Sequence, residues 1–420
     1  MKYPGKISLA KASYFFLALF LVASGISISA SQISLGTASL LLLADIIKNR
    51  KSISTTGLER YILPFVAVSF VLCFASPQVL KNLNYIRDFW LIFAFILAYY
   101  LHNSREDILK TFYLITFIVL FQSIIALVQV SFNISFINEA HKIGIFHYGS
   151  PDDSLRVRGG LLGMHLVFSC YLMLIAIPVL FVSAGAVKNV NAGIRWVMIL
   201  AAVLAVIALL EIRSRSIIIA LPFALVPIFF VSKKLRIIFL LFFLVLILLA
   251  GALLTYRGQD QISSHTKGNA INTESTDQRI KIWKTAFYVW LNHPVIGTGG
   301  GNYLDEFKQM LSEHPELDAG MITHAHNDYL NQLARKGVIG LLAFVYMLFG
   351  IFKYMTVNLK SVNDKLLKSF YLGLFGAYCV FITASFFQCY YTDDENLVMF
   401  WFVIGLSAAV AKIEKQANES

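Results

Sequence analysis

Runs of about 17–25 apolar residues recur along the chain, and they narrow its fold more than any other feature. A hydrocarbon layer about 30 Å thick takes about 20 residues of helix to cross. A backbone inside it must satisfy its own hydrogen bonds, so such runs predict membrane-spanning helices. Twelve are read, at residues 12–30, 33–47, 60–76, 86–101, 109–131, 160–183, 194–212, 216–232, 236–255, 338–355, 367–388 and 396–412. Only 14% of the residues are charged, far from the roughly 25% of a soluble domain. The expected fold is an all-α polytopic integral membrane protein of about twelve transmembrane helices. Residues 1–255 carry nine spans, 256–336 form one long polar loop with short amphipathic helices, and 337–420 carry three, in a single structural unit.

The net charge of +11 does not point to nucleic acid, because most of the cations flank apolar runs, where they fix topology and meet anionic membrane lipids. With both termini cytoplasmic, twenty of the 35 Lys and Arg fall on the inner side. Of the other fifteen, eight lie in the 256–336 loop, which is too long to weigh in the rule, leaving seven. The loop is therefore expected on the non-cytoplasmic face. The cationic start (Lys2, Lys6, Lys11) resembles a signal peptide, but no small-residue cleavage pattern follows, so an uncleaved first span is expected. Cys73, Cys170, Cys379 and Cys389 lie in or at the ends of apolar runs with no metal or disulfide spacing, as small core residues do.

The polar loop carries most of the groups capable of chemistry. Ser275 with Gln278 fits a capping box, and Asn292-His293-Pro294 ends the helix between them. At 100° per residue, Arg279, Trp283, Ala286 and Trp290 share one face with Ile282 and Phe287. An arginine on an apolar face fits two readings: an interfacial helix whose guanidinium snorkels to water, or one turned toward an anion such as phosphate. The cluster Gly297, Gly299, Gly300 and Gly301 suits a flexible hinge better than an anion-holding nest, since the Lys and Ser/Thr of a phosphate loop are missing. Asn327 is a good N-cap for the next run. His324 and His326 lack further ligands at zinc spacing, so no metal is expected, and they suit general-base work near neutral pH.

A second cluster, Glu211-Ile212-Arg213-Ser214-Arg215-Ser216, makes a tight turn between two apolar runs on the same face as the loop. Cations are disfavoured there, so Arg213 and Arg215 either meet lipid headgroups and Glu211 or clamp a phosphate-bearing ligand with Arg279. Arg156 and Arg158, and Asp393-Asp394-Glu395 in the last outer loop, read mainly as solvated connectors.

Taken in order, these residues resemble the O-antigen ligase and polymerase family of bacterial envelopes. Ser214-Arg215 sits at an outer turn, and Arg279-x-x-x-Trp283 runs into His293-Pro294-Val295-Ile296-Gly297-Thr298-Gly299, like the family's hPxxGxG. His326-Asn327 follows, then Gly337-Val338-Ile339-Gly340-Leu341, like its GxxGl. The resemblance covers about residues 155–345, and the His324-x-His326 doublet resembles the ligase branch. It implies a metal-independent, inverting glycosyltransferase without cofactors in the bacterial inner membrane, its site facing the periplasm. The donor would be a glycan on undecaprenyl pyrophosphate. The acceptor would be a sugar hydroxyl of the lipid A-core for a ligase, or another lipid-linked glycan for an O-antigen polymerase. By the same resemblance, Arg215 and Arg279, with Arg213 as an alternative to Arg215, would hold the pyrophosphate. His326 would act as base with His324 assisting, and Arg158, Asn327 and Trp283 are possible substrate contacts. A membrane transporter for an anion is the alternative of a different class, but it calls for ionisable residues near the middle of several spans, which the sequence hardly offers.

Overall fold

Helices supply nearly all the regular structure of the computed structural model, which describes residues 8–52, 54–75, 78–132, 134–137, 143–148, 160–162, 164–185, 188, 190–231, 236–237, 270–319 and 324–419. The first six are α1 (Leu9–Ser24), α2 (Ile28–Lys48), α3 (Glu59–Phe74), α4 (Val79–Ile86), α5 (Phe93–Leu101) and α6 (Arg105–Phe132). A short antiparallel hairpin of β1 (Ile134–Ile137) and β2 (Ile143–Tyr148) follows. Then come α7 (His165–Gly185), α8 (Ala192–Glu211) and α9 (Arg215–Ala220), which continues as a 3-10 stretch over Leu221–Phe230. The polar loop contributes α10 (Ala270–Asn292) and α11 (Tyr303–Glu313), and α12 (Asp328–Leu359), α13 (Lys365–Ala384) and α14 (Asp394–Glu419) complete the chain.

Local sequence sets many of these boundaries. Ser8, Ser27, Asn191 and Asp364 each accept a backbone N–H of the following first turn, partnering amides the helix itself leaves open. The Ser27 cap parts the first two helices at residues 25–27, earlier than the apolar runs alone suggest. The hairpin departs from the all-helical expectation; its β-branched and aromatic residues (Ile134, Phe136, Ile137, Ile143, Ile145, Phe146 and Tyr148) favour a pleated backbone.

Among the described residues, seven helices (α2, α6, α7, α8, α12, α13, α14) are long and apolar enough to cross a membrane. Shorter apolar helices occupy Leu9–Ser24, Phe89–Leu101 and Arg215–Phe230. The third expected span is the 16-residue α3, with Pro64 inside it. The ninth, at 236–255, lies almost wholly outside the described residues. The chain is thus a helical multi-pass membrane protein. Its interior is built on α14, whose apolar stretch is 89% buried, against 33% for α2 and α8 at the periphery. Gly405 lets α14 lie on α5 backbone to backbone, since a Cβ there would overlap the Phe95 carbonyl. All four cysteines are free and buried, as expected of core residues.

α14 runs about 39 Å from one end of the helical assembly to the other, its 26 residues rising about 1.5 Å each. Lys412, near its C-terminal end, borders a cavity of about 820 Å³ with Lys11, Asp45, Lys51, Asp107 and Lys110. Lys51 pairs with Asp45 there, and Lys110 with Glu106. None of the candidate site residues lines this cavity. The described ones lie toward the other end, around the Ser214–Ser216 turn, the His324–Asn327 turn and residues 385–391.

Candidate active site

α10 starts at Ala270, ahead of the expected Ser275 cap, and ends at Asn292 as its Asn-His-Pro sequence requires. Ile282, Thr285, Ala286 and Val289 form its buried face. They pack on Tyr303, Phe307 and Met310 of α11 and on Ala325 and Ala334, a small core belonging to the loop itself. This corrects the expected phasing. Phe287 is exposed, and Trp283 and Trp290 flank the buried stripe. The helix docks its aliphatic side on the protein, with Trp283 packed at the margin of that core and Phe287 turned outward. Arg279 is half-buried at one such edge, with Nη1 donating to the Phe387 carbonyl at 3.0 Å.

The glycines form a clasp, not a hinge. α12 is broken at Gly337, whose φ of 65° and ψ of −168° belong to glycine alone. A break leaves carbonyls open on one side and amides on the other. Residues 294–300 satisfy both. Thr298 N–H donates to the Ala334 carbonyl at 3.1 Å, and Gly299 and Gly300 N–H to that of Arg335 at 2.9 and 3.1 Å. In return, Val338 N–H donates to the Pro294 carbonyl at 3.0 Å and Ile339 N–H to that of Val295 at 3.3 Å. A Cβ on Gly297 would overlap the Arg335 backbone, and one on Gly337 the Val295 carbonyl. Arg335 locks the arrangement, donating to Gly300 O at 2.6 Å and Asn331 Oδ1 at 2.9 Å while lying over the Tyr303 ring.

The clasp fixes the start of α12 and with it the histidine turn. Asn327 caps the helix, its Oδ1 accepting from Leu330 N–H at 3.0 Å, so its side chain is engaged in structure. His326 adopts a positive φ of 48°, one of three such non-glycine residues described, with Arg50 and Arg213. That conformation costs on the order of 1–2 kcal/mol. The His324 and His326 rings meet edge to face at 4.4 Å, and His324 Nδ1 accepts the His326 N–H at 3.4 Å.

A segment missed by sequence reasoning ties these pieces together. Gln388 falls inside an expected span, but α13 stops at Ala384 and residues 385–391 fold over the site. Gln388 Oε1 lies 2.6 Å from His326 Nδ1. The Ser385 carbonyl accepts from Asp328 N–H at 2.8 Å, and Cys389 Sγ from Asn327 N–H at 3.2 Å. Asp328 Oδ2 accepts from Tyr391 N–H at 3.0 Å, and Phe386 stacks on Tyr329. Tyr390 reaches the second cluster: its hydroxyl is 2.7 Å from Ser216 Oγ, which is 3.2 Å from Ser214 Oγ. The available signal was a glutamine beside Tyr390-Tyr391 at the end of an apolar run.

In that turn Ser214 and Ser216 are buried while Arg213, Arg215 and their neighbours Ile218 and Ile219 are exposed. Asp393, Asp394 and Glu395 are half-buried instead of solvated, and Asp394 accepts from Gln32 at 2.8 Å. Arg156 and Arg158 lie outside the described residues. The 385–391 segment thus touches the Ser214–Ser216 turn, Arg279 and His326 at once, three parts of the chain remote in sequence.

Burial, reinforced by the Arg279 charge, pushes His326 below the ordinary histidine value despite the Gln388 hydrogen bond. Burial also pushes His324 down to about 4, helped by His326 and Arg335. Both imidazoles are therefore neutral at pH 7. Among the described residues His326 Nε2 has no hydrogen-bond partner, so the arrangement offers a neutral base beside a guanidinium.

Residues 200–345 match the model of the O-antigen ligase family. The match takes in Arg213, Arg215, Arg279, Trp283, His324, His326 and Asn327, and the resemblance carried by their motifs holds over that stretch. It leaves out the 385–391 segment. No curated protein matches the chain.

Proposed function

We propose, on the premise that residues 200–345 form an O-antigen ligase domain, that the chain transfers a glycan from undecaprenyl pyrophosphate to a sugar hydroxyl of the lipid A-core. The observation that carries this reading is the joining of Arg279 and His326 through Phe387 and Gln388. Nε2 of His326 takes the proton of the acceptor hydroxyl as its oxygen bonds to the anomeric carbon. The bond from that carbon to the pyrophosphate oxygen breaks, and the electron pair leaves with undecaprenyl pyrophosphate. Attack opposite the leaving group inverts the anomeric centre. Arg279 and Arg215 stabilise the departing charge, which guanidinium forks suit without a metal. His324, neutral and edge-on to His326, supports the base. The excess of cations toward the end carrying the termini supports a periplasmic site in the inner membrane.

The test replaces the chain in cells lacking it with Arg215→Ala, Arg279→Ala or His326→Ala. Each variant is expected at wild-type level in the membrane, with glycan-capped lipopolysaccharide reduced by about 100-fold or more. Normal capping by the His326 variant removes the base. The deletion strain identifies the acceptor: bare core with long lipid-linked polymer fits a ligase, core with one repeat fits a polymerase, and intact lipopolysaccharide refutes both.

A further inference from the structure

His326 is oriented from outside the family stretch. Its Nδ1 lies 2.6 Å from Oε1 of Gln388, a side chain only 4% exposed. An amide oxygen accepts and never donates, so Nδ1 carries the hydrogen and the lone pair is left on Nε2. Gln388 itself has a fixed base, because the three residues before it and the three after it, Ser385 to Phe387 and Cys389 to Tyr391, are held by the carbonyl, ring, thiol, hydroxyl and amide contacts described above. His326 itself sits at a strained φ of 48° that its surroundings must hold, and among the described residues Gln388 is the side chain hydrogen-bonded to its Nδ1.

We propose that Gln388 is the positioning residue of this site, holding His326 in the Nδ1–H tautomer and aiming Nε2 at the acceptor hydroxyl; this rests on His326 acting as the base. Gln388 acts through the imidazole and does not touch the substrate. A neutral partner fits this place better than a carboxylate would. A negative charge here would pair with Arg279 and repel a pyrophosphate. The other ionisable groups near the ring are Arg279 from α10, His324 from the same turn, Cys389 at the N–H of the next residue, and Arg335 from α12, which faces His324. None of them contacts Nδ1 of His326.

The test uses the full chain in proteoliposomes. Carbethoxylation by diethyl pyrocarbonate is read at His326 by peptide mass spectrometry across pH, without substrate. Gln388→Glu is expected to move the midpoint of that curve up by about one pH unit or more, as an adjacent carboxylate favours imidazolium. With a synthetic undecaprenyl pyrophosphate-linked disaccharide and purified lipid A-core, Gln388→Leu is expected to lower kcat about 10-fold or more at unchanged donor KM. Gln388→Asn, which keeps the amide but shortens its reach, slows transfer in the same way and serves if the leucine variant fails to insert. Superposable carbethoxylation curves together with wild-type kcat in the variants overturn the proposal. His326→Ala separates the two ideas. If it is inactive while the Gln388 variants behave as wild type, only the positioning role falls. If it transfers normally, the base falls and the positioning role with it.

Discussion

Replacing Gly337 with alanine tests whether the glycine motifs are a structural clasp. The substitution puts a side chain in a backbone region reserved for glycine, which costs about 1–3 kcal/mol, and its methyl would overlap the Val295 carbonyl. Relief requires residues 294–300 to move away from α12. Five backbone hydrogen bonds cross that boundary, and losing two or three at about 1 kcal/mol each adds a similar amount. The expected destabilisation is therefore about 3–6 kcal/mol. Thermal unfolding of purified protein in detergent measures it, with Trp283 and Trp290 of α10 as nearby fluorescent reporters. A fall in apparent Tm of about 5 °C or more is expected, taking about 2 °C per kcal/mol for a large domain. Gly36→Ala is the control: a Cβ there meets nothing within 4 Å, and alanine in a helix gains about 0.5–1 kcal/mol over glycine. A Gly337 variant that melts with the wild type and transfers glycan normally would refute the clasp.

Two further outcomes follow from the same contacts. The neutral form of His326 is the active one, and burial with Arg279 holds its pKa below the usual value. The acidic limb of the rate profile should therefore have its midpoint below the ordinary histidine value of about 6.5; a midpoint at or above that value contradicts the assignment. Tyr390→Phe removes the bond from Tyr390 to Ser216, worth about 1 kcal/mol, and should lower kcat/KM about 5-fold by loosening the Arg215 turn; unchanged kinetics would show that the turn is held by other contacts.

What the sequence revealed depended on how local the cause was. The end of α10 and the Asn327 cap were legible because neighbouring residues determine them. The face of α10 was only half legible. Ile282 and Ala286 are buried as expected, but Arg279 and Trp283 lie at the edge of the buried side and Phe287 outside it, because the surface receiving the helix comes from α11 and α12. The glycines looked like a hinge because their partners, Ala334 and Arg335, are more than thirty residues away. Gln388 was hidden by averaging. A window wide enough to find a span absorbed four residues that leave α13 and fold over the site.

The clasp also bears on how such chains can be recombined. Residues 294–300 complete the hydrogen bonding of a helix that would otherwise carry an open break at the membrane boundary. A chimaera that exchanges the polar loop between related chains must therefore carry 294–300 and 334–340 as one cassette, although the polar residues stop at Lys336. The crossover point suggested by hydropathy cuts through the joint.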